Sequence, residues 1–307
     1  MSVPCQCEEE GCATPKASSG LDCRCRRGWH LGLGLSIPID ALIGRGRVEA
    51  LTNTTIPGPA GPIRAFVVEP TTPGPHPAVI MIHEWWGLRP DIIEKATALA
   101  ADGYLVVAPD TFRGASTTWI PRAIYQVSTT PPEQVQADLD AVFSWLIARA
   151  DVIADRIAII GFCYGGRTSL LYTLHNPAVA ATGIFYGMAP VEPSALRQIR
   201  GPVLGIFGGA DASIPLSEVE QLERNLRAAG VSTRFVIFPD QPHAFVGGID
   251  SINAGGAAGD AWQVLRAFLA EALKGQIPAG QKWPVEMRAT HATTFAGWLH
   301  HRFVCGW

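Results

Sequence analysis

Six near-continuous apolar runs, set apart by stretches with helical spacing, limit what this chain can fold into. They read PAVIMIH (77–83), YLVVAP (104–109), RIAIIGF (156–162), ATGIFYG (181–187), PVLGIFG (202–208) and TRFVIF (233–238). A strand with one wet face alternates polar and apolar side chains, whereas a parallel strand covered by helices on both faces does not. Helical patterns are predicted over 90–101, 132–149, 165–175, 215–229 and 258–273, with an irregular stretch before residue 132. Ahead of the runs, RVEALTNTTI (47–56) and IRAFVVEP (63–70) flank the turn-forming PGPAGP and read as two antiparallel strands. The expected fold is therefore α/β: a doubly wound, mostly parallel sheet with helices on both faces and antiparallel lead-in strands. Its domain is expected over 48–275, between a leader (1–47) and a tail (276–307).

Composition narrows the partners. A chain of 307 residues that is 48% hydrophobic can bury a large core, and one domain is expected. The net charge of −3, from 24 basic and 27 acidic residues without long runs of either, gives no reason to expect nucleic acid or a membrane surface. No stretch reaches 18 consecutive apolar residues. The expected partner is a small molecule, the expected state a monomer and the expected location the cytoplasm. Cys5, Cys7, Cys12, Cys23 and Cys25 crowd the leader in a spacing that matches no usual zinc site, so a disordered leader is preferred to a soft-metal site. Arg26 and Arg27 before GWHLGLGLSIPI imitate a twin-arginine export signal, but Asp40 interrupts, which leaves export as the lesser alternative. His300, His301 and Cys305 in the tail are read as incidental rather than as metal ligands. With no Walker loop and no strand-to-helix context around GGIDSINAGGAAG, neither a cofactor nor a metal is expected.

The chemistry is sought at Gly161-Phe162-Cys163-Tyr164-Gly165, where RIAIIGF meets a predicted helix. A G-x-nucleophile-x-G turn between strand and helix forces its central residue into a strained backbone conformation, and the glycines leave room where chain meets chain. The side chain then projects from the carboxyl edge of the sheet beside the positive end of the helix, which favours a thiolate or an oxyanion. The bland alternative, a small buried hydrophobe, is the usual fate of a free cysteine.

A nucleophile needs a base and a group that orients it, and here they are expected on later strand ends in that order. Asp211, after PVLGIFG, is the candidate acid, although alone it reads equally as a turn residue or helix cap. His243, in FPDQPHAFVGG, is the candidate base; Asp240 competes for the acid role but shares the histidine's loop. His83 is the other histidine with a candidate polar role. The backbone N–H groups of Trp85, in HEWWGL (83–88), and Tyr164 are the candidate oxyanion donors. Glu84 is either a surface carboxylate or a partner of Cys163, and the second reading is preferred.

With these residues assembled, the chain resembles the dienelactone hydrolase (carboxymethylenebutenolidase) family of α/β-hydrolases over residues 48–275. The resemblance is carried by HEWWGL, PDTFRG (109–114), GFCYGG (161–166), GGADASIP (208–215) and PHAF (242–245), with cysteine where ordinary esterases of the fold carry serine. It implies a Cys163–His243–Asp211 triad and a Glu84 that contacts the resting thiol. It also implies activation in which an anionic substrate displaces that glutamate, which then takes the thiol proton. It implies hydrolysis of a lactone or ester through a thioester, or of the broader esters and thioesters handled by this fold; a non-catalytic binding member is the alternative of another class. One substrate arginine of the family falls on Gly247 here, and the other has Arg122 as its match, with Tyr125 nearby. Arg122 can equally be a helix-surface charge. Trp85, Trp86 and Trp119 then predict an aromatic cleft for less polar substrates.

Overall fold

The computed structural model describes residues 44–275. The leader cysteines, the arginine pair, and the tail histidines and cysteine lie outside the described residues. Eight strands form one sheet: β1 (Thr54–Ile56), β2 (Ile63–Val68), β3 (His76–Ile82), β4 (Leu105–Pro109), β5 (Val152–Phe162), β6 (Ala181–Phe185), β7 (Val203–Gly208) and β8 (Thr233–Phe238). Their order is β1-β2-β4-β3-β5-β6-β7-β8. β1 and β2 pair antiparallel, as does β2 with β4, and all remaining neighbours are parallel. The uninterrupted apolar runs have the burial that their composition requires: every residue of β4, β6 and β7 is buried.

Eight α-helices accompany the strands among the described residues: α1 (residues 44–51), α2 (Pro90–Ala101), α3 (Ile120–Thr129), α4 (Pro132–Ile147), α5 (Tyr164–His175), α6 (Leu216–Ala228), α7 (Ile249–Asn253) and α8 (Gly256–Lys274). α2 and α4 begin on a proline, which needs no hydrogen-bond partner for its nitrogen there. α8 stops at Gly275, whose φ of 64° gives the left-handed cap that a Cβ would disfavour.

Two expectations are corrected. RVEALTNTTI is a strand only at its end, because 44–51 is helical: Val48 is buried one turn from the half-buried Leu51, and Thr52 closes the helix onto the Val48 carbonyl. Alternation of Val48, Ala50 and Thr52 imitated a strand, while the spacing of the buried side chains is helical. The irregular stretch before residue 132 contains α3, in which Ile120, Ala123, Ile124 and Val127 recur at helical spacing although only Ala123 and Gln126 are buried.

The topology positions a site. From β3 the chain crosses to β4 on one side, then returns to β5 on the other. The loops leaving the carboxyl ends of β3 and β5 consequently diverge, and ligands bind in the crevice at such a switch.

Candidate active site

Cys163 joins β5 to α5 with φ 55° and ψ −114°, in the region that an L-residue avoids. It is 2% exposed. Its N–H donates to the Phe185 carbonyl at 2.9 Å, and its own carbonyl accepts from Arg167 N–H at 3.1 Å, so the strained residue is tied at both ends. The flanking glycines are sterically compulsory. A Cβ on Gly161 would overlap the backbone of Gly165, and one on Gly165 would overlap the carbonyls of Ile82 and His83. The sequence reading missed Gly187, after β6, where a Cβ would run into Arg167 N and the Cys163 carbonyl. Tyr164 opens α5, so its N–H belongs to the first turn, where amides lack intrahelical acceptors. That is the position expected of an oxyanion donor.

Four non-glycine residues with positive φ stand among the described residues: Arg113, Cys163, Tyr186 and Ala244. Each lies in a segment leaving the carboxyl end of a strand, β4, β5, β6 or β8. Backbone strain is thus gathered on the edge that carries the candidate residues.

His243 follows β8, and its Nδ1–H donates to Asp211 Oδ2 at 2.6 Å. Asp211, after β7, is 2% exposed, and its other oxygen accepts from the amides of Ser213 (2.7 Å) and Ile214 (3.2 Å). One oxygen of Asp211 thus serves the turn and the other faces His243. Burial pushes this carboxyl up, but the His243 hydrogen bond and charge and the Ser213 amide outweigh it, and the net shift is downward. The bond to Asp211 fixes the neutral imidazole with its proton on Nδ1 and its lone pair on Nε2. Asp240 is exposed, and it is Asp211 that bonds His243.

Glu84 lies just past β3. Burial is the largest influence on its carboxyl and raises it, partly opposed by the charges of Lys95, His243 and Arg89 and reinforced by Asp91. Its backbone is held by His83, which donates from Nδ1 to the Glu84 carbonyl at 2.7 Å and accepts at Nε2 from the Thr111 amide (3.3 Å) and hydroxyl (3.0 Å). His83 is fully buried and desolvation lowers it to about 4, so it is a neutral strut between the ends of β3 and β4. Sequence reasoning also missed Tyr186. Its ring lies 5.2 Å from that of His243 and its hydroxyl donates to the Val246 carbonyl at 3.2 Å, within the influence of Glu84 and Cys163. Burial first, then the charge of Glu84, raises the phenol and holds it neutral. The Tyr-Gly pair ending ATGIFYG, a bulky residue and a glycine at a strand's carboxyl end, was the available signal.

The residues expected to shape a cleft are divided between two places. Trp85 and Trp86 pack edge to face at 4.9 Å beside Glu84. Gln126 of α3 is buried and donates to the Trp85 carbonyl, tethering α3 to this loop. Trp119 caps α3 at its start. Arg122 stacks on Tyr125 at 5.0 Å, and both line a hollow of about 200 Å³ with Arg45, Phe112, Arg113 and Gln126. A larger cavity of about 390 Å³ is walled by Val127, Val135, Leu139, Tyr164, Arg167 and Leu171. Neither cavity has Cys163, His243 or Glu84 in its wall; the larger meets the nucleophile corner only through Tyr164. We place the chemistry with the bonded Asp211–His243 pair and not with the larger void. Among the described residues, no cluster of three histidine, cysteine or carboxylate side chains is placed to hold a metal. Nor is any described helix long and apolar enough to cross a membrane.

A mostly parallel sheet with a cysteine on a strained strand-to-helix corner, followed by an acid and then a histidine on later strand ends, defines an α/β-hydrolase. The family profile described as dienelactone hydrolase matches residues 63–273, and the chain belongs to the dienelactone hydrolase family, whose members are carboxylic ester hydrolases. A protein named "Putative carboxymethylenebutenolidase" from Methylorubrum extorquens is 33% identical, over 69% of this chain and 77% of its own length. One of the same name from Escherichia coli O157:H7 is 35% identical, over 68% of this chain and 83% of its own. Among solved structures, a "Putative Dienelactone Hydrolase" from Klebsiella pneumoniae has a TM-score of 0.64 at 35% identity, covering 71% of this chain and 97% of that one. An acylaminoacyl peptidase from Pyrococcus horikoshii, 15% identical with a TM-score of 0.59 over 75% of this chain and 42% of its own, shares the fold alone.

Proposed function

We propose that the chain hydrolyses lactones or carboxylic esters with Cys163 as nucleophile, His243 as acid and base, Asp211 as its orienting partner and Glu84 as acceptor of the thiol proton. The observation that carries this reading is the 2.6 Å bond from His243 to Asp211, on strand ends downstream of a cysteine held at φ 55°. The S–H proton passes to Glu84, and the thiolate attacks the carbonyl carbon while the π pair moves to oxygen. The N–H groups of Trp85 and Tyr164 receive that oxyanion. Collapse expels the ring or ester oxygen, which takes the proton held on Glu84, and leaves a thioester on Cys163. Water, deprotonated at His243 Nε2, attacks the thioester; the acid departs and the thiol is restored.

The aromatic Trp85–Trp86 face supports a second reading, a broad carboxylesterase or thioesterase preferring less polar acyl groups. The ratio of rates on dienelactone and on simple aryl esters separates the two. Residues 48–275 are taken as the hydrolase domain, acting as a monomer in the cytoplasm on a small-molecule substrate, without metal or cofactor. The test is turnover by wild type, Cys163→Ser and Glu84→Gln on a panel of lactones and esters. Undiminished activity in both variants removes the assigned site.

A further inference from the structure

The facing stripes of α4 and α5 do not close on each other. Val135 and Leu139 stand one turn apart on α4, Arg167 and Leu171 one turn apart on α5, and all four line the cavity of about 390 Å³. Val127 of α3 completes the aliphatic part of the wall. Protein interiors are packed to the density of organic crystals, and a void of about 150 Å³ already takes up benzene, so this one holds a ring with a short chain, or two rings. The hydroxyls of Ser128, Thr130 and Thr168 are in the wall, yet each spends its proton on the carbonyl one turn earlier, at 2.8, 2.7 and 2.8 Å. Arg167 is the one charged side chain among the described residues of the wall.

We propose that this cavity is a second small-molecule site, which takes a monocarboxylate with a compact apolar body: the acid group meets the Arg167 guanidinium, and the body lies against Val127, Val135, Leu139 and Leu171. The aliphatic wall favours burial of an apolar body, and a planar guanidinium matches a carboxylate through parallel N–H donors. A sugar or other polyol would leave most of its hydroxyls against aliphatic carbon. The site lies beside the nucleophile corner yet apart from its chemistry. Tyr164 is in the wall and the Arg167 N–H holds the Cys163 carbonyl at 3.1 Å, but Cys163, His243 and Glu84 are not wall residues. Acids of this class are what hydrolysis of the less polar esters would release, so the enzyme's own turnover supplies an occupant. That link, unlike the site itself, rests on the hydrolase reading proposed above.

The test is calorimetric titration of the full chain with 2-naphthoate, and with 2-naphthylmethanol as its neutral counterpart. Naphthoate should bind one to one, and about tenfold or more tightly than the alcohol. Arg167→Gln should abolish that preference. Leu171→Trp fills the cavity and should weaken both ligands about tenfold or more; should it fail to fold, Val127→Trp fills the same space from α3. Naphthoate should also leave the KM of an aryl ester within about twofold, because no catalytic side chain stands in that wall. The inference is overturned by no binding at millimolar naphthoate, by equal binding of acid and alcohol to the wild type, or by undiminished affinity in the cavity-filling variant. A KM that climbs in proportion to naphthoate places the ligand at the catalytic residues and overturns it too. Since calorimetry needs no turnover, charge-dependent binding by a chain that hydrolyses no ester would leave the site standing and remove the hydrolase reading.

Discussion

The carboxyl edge of the sheet presents two carboxylates in opposite circumstances. At the β7 end Asp211 has an imidazole on one oxygen and two amides on the other, and its pKa is held down. At the β3 end Glu84 is governed by burial, and its pKa is pushed up. The first is held as a charge; the second is drawn by burial toward its neutral form. In the mechanism proposed above the first holds the histidine steady and the second receives the thiol proton, and sidedness at the switch point lets the two be tuned separately.

Breaking the fixed side should have the largest effect. Asp211→Asn presents an amide N–H or a weaker acceptor to Nδ1 and disturbs the tautomer, so kcat should fall about 10³-fold or more. The depressed pKa of Asp211 contributes stability that is present above the unfolded carboxylate pKa and lost as pH falls. Thermal unfolding should therefore show the variant less stable at pH 7, with the gap narrowing as pH falls below about 4 and closing only below the depressed folded-state value. Glu84→Gln should cost about 10²-fold in turnover, yet move stability the other way. A raised carboxyl pKa favours folding at low pH and loses that contribution as pH rises through the folded value. The variant should melt about 2–4 °C above wild type at pH 8, with the gap closing on acidification. Calorimetry showing shifts of the same sign in the two variants would erase the distinction between the two ends.

Two smaller effects sharpen the β3 side. Gln126→Ala releases α3 from the Trp85 carbonyl and should raise KM about fivefold with kcat within about twofold, measured on an aryl ester. Arg122→Ala should change kcat/KM on a carboxylate-bearing ester by about twofold or less, because Arg122 lies in the Arg45–Arg113 hollow and not among the catalytic side chains. A tenfold loss specific to the anionic substrate would restore Arg122 to the substrate pocket.

The parallel sheet was legible because its strands are buried on both faces, and burial on both faces writes itself as an unbroken apolar run. Cys163, Asp211 and His243 were legible because each sits at a strand's carboxyl end beside turn-forming residues. What stayed hidden depends on contacts between segments distant in the sequence. The helical spacing of Ile120, Ala123, Ile124 and Val127 was there to be read, but the reach of Gln126 to the Trp85 carbonyl was not. Tyr186 could not be read because a tyrosine after a strand looks like ordinary core until His243 is brought beside it. Lys95 left a trace, a cation at the inward position of Ile92, Ala96 and Leu99, but a helix wheel cannot show what stands across from it.

The amide bridge by which Gln126 holds α3 against Trp85 has a practical corollary. The nucleophile corner tolerates no added methyl group at several backbone positions, so diversity introduced there is wasted on misfolded protein. In the segment between β4 and α4, residues 110–117 are likewise tied in, by Thr111 to His83 and by Arg113 to Asp138, and α3 is the more loosely held part. Grafting its counterpart from a relative, with the glutamine kept, is the economical route to a new substrate scope.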